Sequence, residues 1–406
     1  MLRQACALAL GVSLISACEP SVPKLIVGEV EYVTGVGSGE PNLFAAPDGR
    51  AFLTWLEPAG ADRYALRFAT RSAGEWSEQV TVVESDRFFV NWADFPSLVQ
   101  LDDGGLLAHW LEKTGPETYA YHVRVALSDD GGAIWSDAIT PHRDTSPTEH
   151  GFVSMVPWES GAALIWLDGR EMKSEAEAAG HDDLDRGEMS IRFTTVGPAG
   201  DLGRDVLLDP RTCECCQTAL ARVGSGLLAA YRDRSDAEIR NIAVVRYDDG
   251  GWSEPTHVAD DNWYYPGCPV NGPQLSASGD TVVVAWFTAP EQKPAVYTAF
   301  SSDGGRTFGG PIRIDESDPL GRVDVEILED GRAVVSWLER SETAAEIRVR
   351  FVEDSGSMGG SVIVAETAEA RASGFPRIVR VGAELLVAWT VVGDSGGVRV
   401  VAVRVE

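Results

Sequence analysis

Along most of the chain, small and aliphatic residues run into an aromatic one and leave through a polar or charged exit. The pattern reads Ala51 to Glu57 around Trp55, Leu106 to Glu112 around Trp110, Ala162 to Asp168 around Trp166, and Leu227 to Asp233 around Tyr231. It continues as Thr281 to Thr288 around Trp286, Ala333 to Glu339 around Trp337, and Leu385 to Val391 around Trp389. Apolar runs of this length, bounded by turn residues, predict strands. The aromatic-to-aromatic spacings are 55, 56, 65, 55, 51 and 52 residues, a period that fits four-stranded propeller blades.

Each copy sits in the same frame. A strand and turn such as Phe95 to Gly104 precedes it, and an alternating strand such as Tyr121 to Leu127 follows. Six copies then offer a fourth strand, whereas the seventh stops at Gly397 to Glu406 with its third. Leu25 to Val33 is an orphan strand ahead of the first copy, and pairing it there removes an exposed edge. The expectation is an all-β chain whose residues 24–406 form a single β-propeller of seven four-stranded blades closed by the N-terminal strand. Six blades with one displaced hairpin are the alternative.

The N-terminus reads differently. Arg3 precedes an apolar run from Ala5 to Leu14, too short for a membrane span and suited to a signal core. Ile15-Ser16-Ala17-Cys18 then resembles the lipobox of bacterial lipoprotein precursors. Residues 1–17 are therefore expected to be a signal peptide, Cys18 the lipidated residue and 18–23 a tether, with an ordinary secretory signal as the alternative. Such a chain belongs in the bacterial cell envelope, periplasmic or at the surface, held to the membrane through its lipid anchor only.

Charge and composition narrow the partners. Asp and Glu number 62 against 34 Lys and Arg, a net charge of −28, which argues against nucleic acid as a partner. A hydrophobic fraction of 44% rules out global disorder. Gly 42 and Pro 21 suit many short strands and tight turns.

A second repeat lies between the third and fourth strands. Ser301-Ser302-Asp303-Gly304-Gly305-Arg306-Thr307-Phe308 fits the Asp-box pattern, and Ser128-Asp129-Asp130-Gly131-Gly132-Ala133-Ile134-Trp135 fits with one substitution. Its acid is structural, accepting turn N–H groups. With Trp166-Leu167-Asp168-Gly169-Arg170, Tyr231-Arg232-Asp233-Arg234-Ser235 and Cys268-Pro269-Val270-Asn271-Gly272-Pro273, these motifs make the chain resemble the Asp-box, or BNR-repeat, propellers of bacterial envelopes classed as sialidase-like or exo-α-sialidase.

That resemblance implies an arginine triad for a substrate carboxylate, a tyrosine nucleophile with its glutamate base, and an aspartic acid. The matching rim residues are Arg232 or Arg234, Arg322 and Arg371 for the triad, and Tyr231, Tyr264 or Tyr265 for the nucleophile. Glu238 is the base, and Asp94 or Asp168 the acid. Arg170 and Trp263 join the same face as substrate-binding candidates. The family's early Tyr/Phe-Arg-Ile-Pro motif has no counterpart, since Asp94-Phe95-Pro96 lacks the arginine, and those enzymes normally have six blades. Arginines so placed either clamp an anionic group or pair with neighbouring acids between blades.

Cys213, Cys215, Cys216 and Cys268 open adjacent blades and can meet. Two disulfides are the first reading, and a soft-metal site helped by His181 or His150 the second. His122, His142 and His257 show no spacing that marks a site, and Glu171 to Gly187 reads as a solvated flap whose acids match no complete calcium loop. No metal and no cofactor is expected. Two functions stand: a sialidase-like glycoside hydrolase acting on an anionic glycan or other carboxylate-bearing ligand, and a non-catalytic propeller that binds a polysaccharide or protein partner.

Overall fold

The computed structural model describes residues 24–172 and 187–405. The signal segment, Cys18 with its tether, and the insertion from 173 to 186 with His181 lie outside the described residues. Seven antiparallel sheets form the blades of one propeller. Their inner strands are Gly39–Ala45, Ser97–Gln100, His150–Trp158, Ala219–Val223, Gln274–Ser278, Pro319–Ile327 and Arg377–Val381, for blades one to seven. The seven-bladed reading of the repeat holds, and the six-bladed alternative falls.

Closure follows the N-terminal strand. Leu25–Val33 pairs antiparallel with Gly397–Val405, from Leu25 opposite Val405 to Val33 opposite Arg399. It becomes the outermost strand of blade seven, so that Gly397–Val405 is covered and this sheet reaches four strands. Blade two is the least regular: beyond Tyr121–Ser128 its fourth strand shrinks to a bridge between Val125 and Ile139.

The recurring aromatic strand is the second of each blade and is buried on both faces. Trp55, Trp286 and Trp337 are 0% exposed. Side chains two apart on a strand share a face, so the exit acid reaches the indole N–H. Trp166 Nε1 donates to Asp168 Oδ2 at 2.7 Å, Trp55 Nε1 to Glu57 Oε2 at 3.1 Å, and Trp337 Nε1 to Glu339. In blades one, three and six the polar exit of the pattern is thus the partner of a buried tryptophan.

The turn after the third strand of blade five is knit by Asp303. Its carboxylate accepts from the Thr307 N–H at 2.9 Å and the Thr307 hydroxyl at 2.7 Å. Bonds from Thr307 and then Ser301 hold the carboxyl below the usual carboxylate range. Gly305 has φ 77°, and a Cβ there would lie 2.6 Å from Leu228 of blade four, so the turn also spaces neighbouring blades. Ser128, Asp130 and Gly132 repeat the arrangement in blade two.

Around the axis all seven inner strands line a cavity of about 140 Å³, with Asp324, Glu326 and Arg377 among its polar walls. The connections that enter each inner strand, and those between second and third strands, lie together at one end of this channel.

Candidate functional site

At that end the entry loops of blades two and three bring together Asp94, Tyr121 and Glu149. Tyr121 begins the third strand of blade two, where stacking on Phe89 at 3.8 Å between centroids fixes its ring. Its hydroxyl donates to Glu149 Oε1 at 2.6 Å. Asp94 is buried; the Phe152 N–H donates to Oδ2 at 2.8 Å, while Oδ1 has no partner among the described residues. Gly151 makes this approach possible, because a Cβ there would stand 2.1 Å from Asp94 Oδ2 and 2.9 Å from Tyr121 Cε2.

Burial raises the Asp94 carboxyl well above the usual range, against the pull of the Phe152 N–H. Glu149 is pushed up to about 7, by burial first and by the charge of Glu214, against the hydroxyl of Tyr121. Two carboxyl groups whose ionisation is opposed by burial therefore share this rim.

Beside them lies an aromatic and cationic platform. Trp92 stacks on Phe375 at 5.7 Å between centroids, and the guanidinium of Arg322 sits 5.0 Å from the Trp92 centroid. Arg322 donates to Ser373 Oγ at 2.7 Å and to the Gly374 carbonyl at 2.9 Å. Desolvation, then the neighbouring charge of Arg371, lowers Arg322 to about 10. Arg371 is exposed and reaches over the same indole at 5.9 Å.

The other rim residues have different roles. Arg232 is buried, with Nε donating to the Asn271 carbonyl at 2.9 Å and its two other nitrogens to the carbonyls of Arg240 and Phe287. It packs on Trp263, itself buried. Arg234 pairs with Glu238 at 2.8 Å and with Glu214, and Arg240 pairs with Glu238 at 2.8 Å and Glu214 at 3.2 Å. The expected triad is therefore not assembled: Arg232 and Arg234 are consumed within the protein, by carbonyls and by carboxylates.

The nucleophile and base expected in blade four are likewise displaced. Tyr231 is fully buried and donates to Asp209 Oδ2 at 2.5 Å, with burial and then the Asp209 charge raising its pKa. Desolvation works against the ionised form of Glu238, but the bond and charge of Arg234 together with the charges of Arg240 and Arg211 hold it below its ordinary range. Asp168 is buried and carries Trp166 and Arg170, the latter at 2.7 Å. Burial opposes its ionisation, but Arg170, His150 and Trp166 together hold it at about 2, unsuited to an acid role. Arg170 also reaches Asp205 at 3.0 Å. Tyr264 and Tyr265 are exposed.

Cys215 is bridged to Cys268 across the loops that enter blades four and five. Cys213 and Cys216 are buried, with sulfurs 2.8 Å apart. Sequence reasoning passed over Tyr121, seen only as a strand residue, because its meeting with Glu149 joins two blades. It also passed over His122 and His142, which the fold carries to His150. Each of the three offers a ring nitrogen within 4.8 Å of the others.

No family model matches the chain, and no curated sequence matches it. Among solved structures the chain is similar to an ulvan lyase of a polysaccharide lyase family, solved with a GlcA–Rha3S ligand. The TM-score is 0.58 at 9% identity, over 92% of this chain and 95% of that one. A protein of unknown function from Dyadobacter fermentans gives a TM-score of 0.52 at 15% identity, over 95% of this chain and 100% of that one. The NanB sialidase of Streptococcus pneumoniae, as its K499G mutant, gives 0.48 at 11% identity, over 88% and 83%. At these identities the likeness is one of fold, the propeller.

Proposed function

We propose that this protein is a glycan-acting envelope propeller that cleaves an anionic polysaccharide or glycoside at the entry-loop end of its channel. A sialidase-like hydrolysis is the first reaction to test, and Cys18 is the lipid anchor. The observation that carries the reading is the contact of Tyr121 with Glu149 beside the half-satisfied carboxyl of Asp94. Cleavage of a glycosidic bond needs one group to deliver a proton to the leaving oxygen and another to accept one. Asp94 is the donor in this scheme, and Glu149, working through the Tyr121 hydroxyl, is the acceptor. Arg371, exposed beside Trp92, meets the acidic group of the ligand, and the indole offers a face for the sugar. A polysaccharide is the ligand class carried over from the ulvan lyase that shares the fold.

The binding reading has its own support in the carboxylates that already satisfy Arg234 and Arg240. The purified protein is to be incubated with sialosides and with uronate-containing polysaccharides, and released ends measured. Glu149→Gln is expected to lower turnover by ~100-fold or more with the fold intact. Absence of turnover in the parent protein, with glycan binding that Arg371→Ala weakens, assigns it to binding alone.

A further inference from the structure

The three histidines do not belong to the acid–base group, and each is tied down in the same way. His122 Nε2 lies 3.0 Å from the Ser146 carbonyl, His142 Nδ1 2.9 Å from the Asp144 carbonyl, and His150 Nδ1 3.1 Å from the Thr148 carbonyl. A carbonyl only accepts, so each of these nitrogens carries the proton. That fixes the tautomers and leaves one lone pair per ring, on His122 Nδ1, His142 Nε2 and His150 Nε2. A backbone carbonyl behind the ring, holding the opposite nitrogen free, is how a protein orients a metal-binding imidazole.

We propose that His122, His142 and His150, with Asp144, bind one divalent first-row transition-metal ion, zinc above all, that clamps blade two to blade three. The rings crowd together: centroids are 4.0 Å apart for His142 and His150, 4.7 Å for His122 and His142, and 4.9 Å for His122 and His150. His142 is 3% exposed and His150 0%, and neither Nε2 has a hydrogen-bond partner among the described residues. Buried lone pairs without donors are costly, and two side by side are costlier. A proton on His150 Nε2 could answer Asp144 Oδ2, which stands 3.0 Å away, but His142 Nε2 would still face nothing. One cation answers all four.

The carboxylate is also prepared. Asp144 Oδ2 accepts from the Ser146 N–H at 3.2 Å and from the Ser146 hydroxyl. Asp168 Oδ2, 3.8 Å from His150 Nε2, adds negative charge outside the ligand set while Trp166 and Arg170 hold it still. Zinc–nitrogen bonds of about 2.1 Å place tetrahedral ligand nitrogens roughly 3.4 Å apart. The three rings offer nitrogens within 4.8 Å of one another, and because His142 and His150 stack with planes 9° apart, one of the two must swing out of the stack for both to face the ion. Three imidazoles and a carboxylate suit zinc, nickel, copper or iron; magnesium and calcium prefer oxygen alone.

The ligands come from separate parts of the chain. His122 lies on the third strand of blade two, His142 and Asp144 follow its outer bridge, and His150 opens the inner strand of blade three. The ion would complete the blade whose fourth strand is weakest. The site stands independently of the glycan reading, since metal content is measured without any glycan.

The protein is to be stripped with a chelator and titrated with Zn²⁺ by calorimetry and with Co²⁺ by visible absorption, with bound metal counted by mass spectrometry. One ion per chain, a tetrahedral cobalt spectrum and a zinc-dependent rise in melting temperature are expected. His122→Ala, at a partly exposed position, should fold and weaken zinc by at least about tenfold. Cys213→Ser should leave zinc binding unchanged, which separates this site from the thiols. A stripped protein that takes up none of Zn²⁺, Co²⁺, Ni²⁺ or Cu²⁺, or a His122→Ala variant that binds zinc as tightly as its parent, overturns the proposal.

Discussion

At the scale of single residues, the acids that close the aromatic strands matter as internal acceptors. Glu339 is 2% exposed and accepts from Trp337 Nε1, from the Ser317 N–H at 2.6 Å and hydroxyl at 2.8 Å, and from the Asp318 N–H at 2.9 Å. Glu339→Ala leaves these donors buried without an acceptor. It is expected to cost about 2–4 kcal/mol in denaturant unfolding, and a loss under 1 kcal/mol would show that water replaces the carboxylate. Spacing alone could have exposed this role, because an acid two places beyond a tryptophan on a strand must share its face. The fate of the arginines was not open to that reasoning. Arg232 meets carbonyls from positions 240, 271 and 287, and Arg234 meets Glu214 and Glu238; nothing local distinguishes these from the exposed Arg371. Charge pairing across loops depends on a packing that sequence does not print.

At the scale of elements, the repeat was legible because every blade needs the same buried second strand. The Leu25–Val33 strand was legible because the seventh copy lacked a partner. What escaped was the irregular segment after blade two, where turns replace a strand and bring His142 and Asp144 inward. The tight turn of blade five makes a sharper test of what elements require. Gly305→Ala would meet Leu228 and a positive φ together, and should lower stability by about 1–3 kcal/mol. Gly310, a few residues on, has nothing within 4 Å of an added Cβ. Gly310→Ala should therefore melt within a degree or two of the parent, and equal losses at both positions would show that the turn does not space the blades.

The whole molecule keeps a second charged cluster in its channel. Glu326 is pushed up to about 8, by burial first and by the charge of Asp324 second, while the Ser276 hydroxyl bonds it at 3.2 Å. A carboxyl whose folded pKa lies above its unfolded value stabilises the fold while it is protonated. That contribution is full below the unfolded value near 4.5 and is lost as pH rises through about 8. Melting temperature should fall between pH 6 and pH 9 in the parent protein. Glu326→Gln keeps the shape without the charge, and its advantage over the parent should widen across that window. Parallel curves would mean that water or Arg377 already neutralises the site.

Ring closure by the Leu25–Val33 strand has a consequence in time. During synthesis this segment emerges early, and its partner Gly397–Val405 does not exist until nearly all the rest of the propeller has been made. Six blades can pair within themselves as they appear, but the seventh waits. Until then Leu25–Val33 must remain unpaired or pair wrongly, and contacts so distant in sequence form slowly. The chain therefore carries a built-in delay between the folding of its blades and the locking of its ring, which keeps the ring open until the last strand has been made.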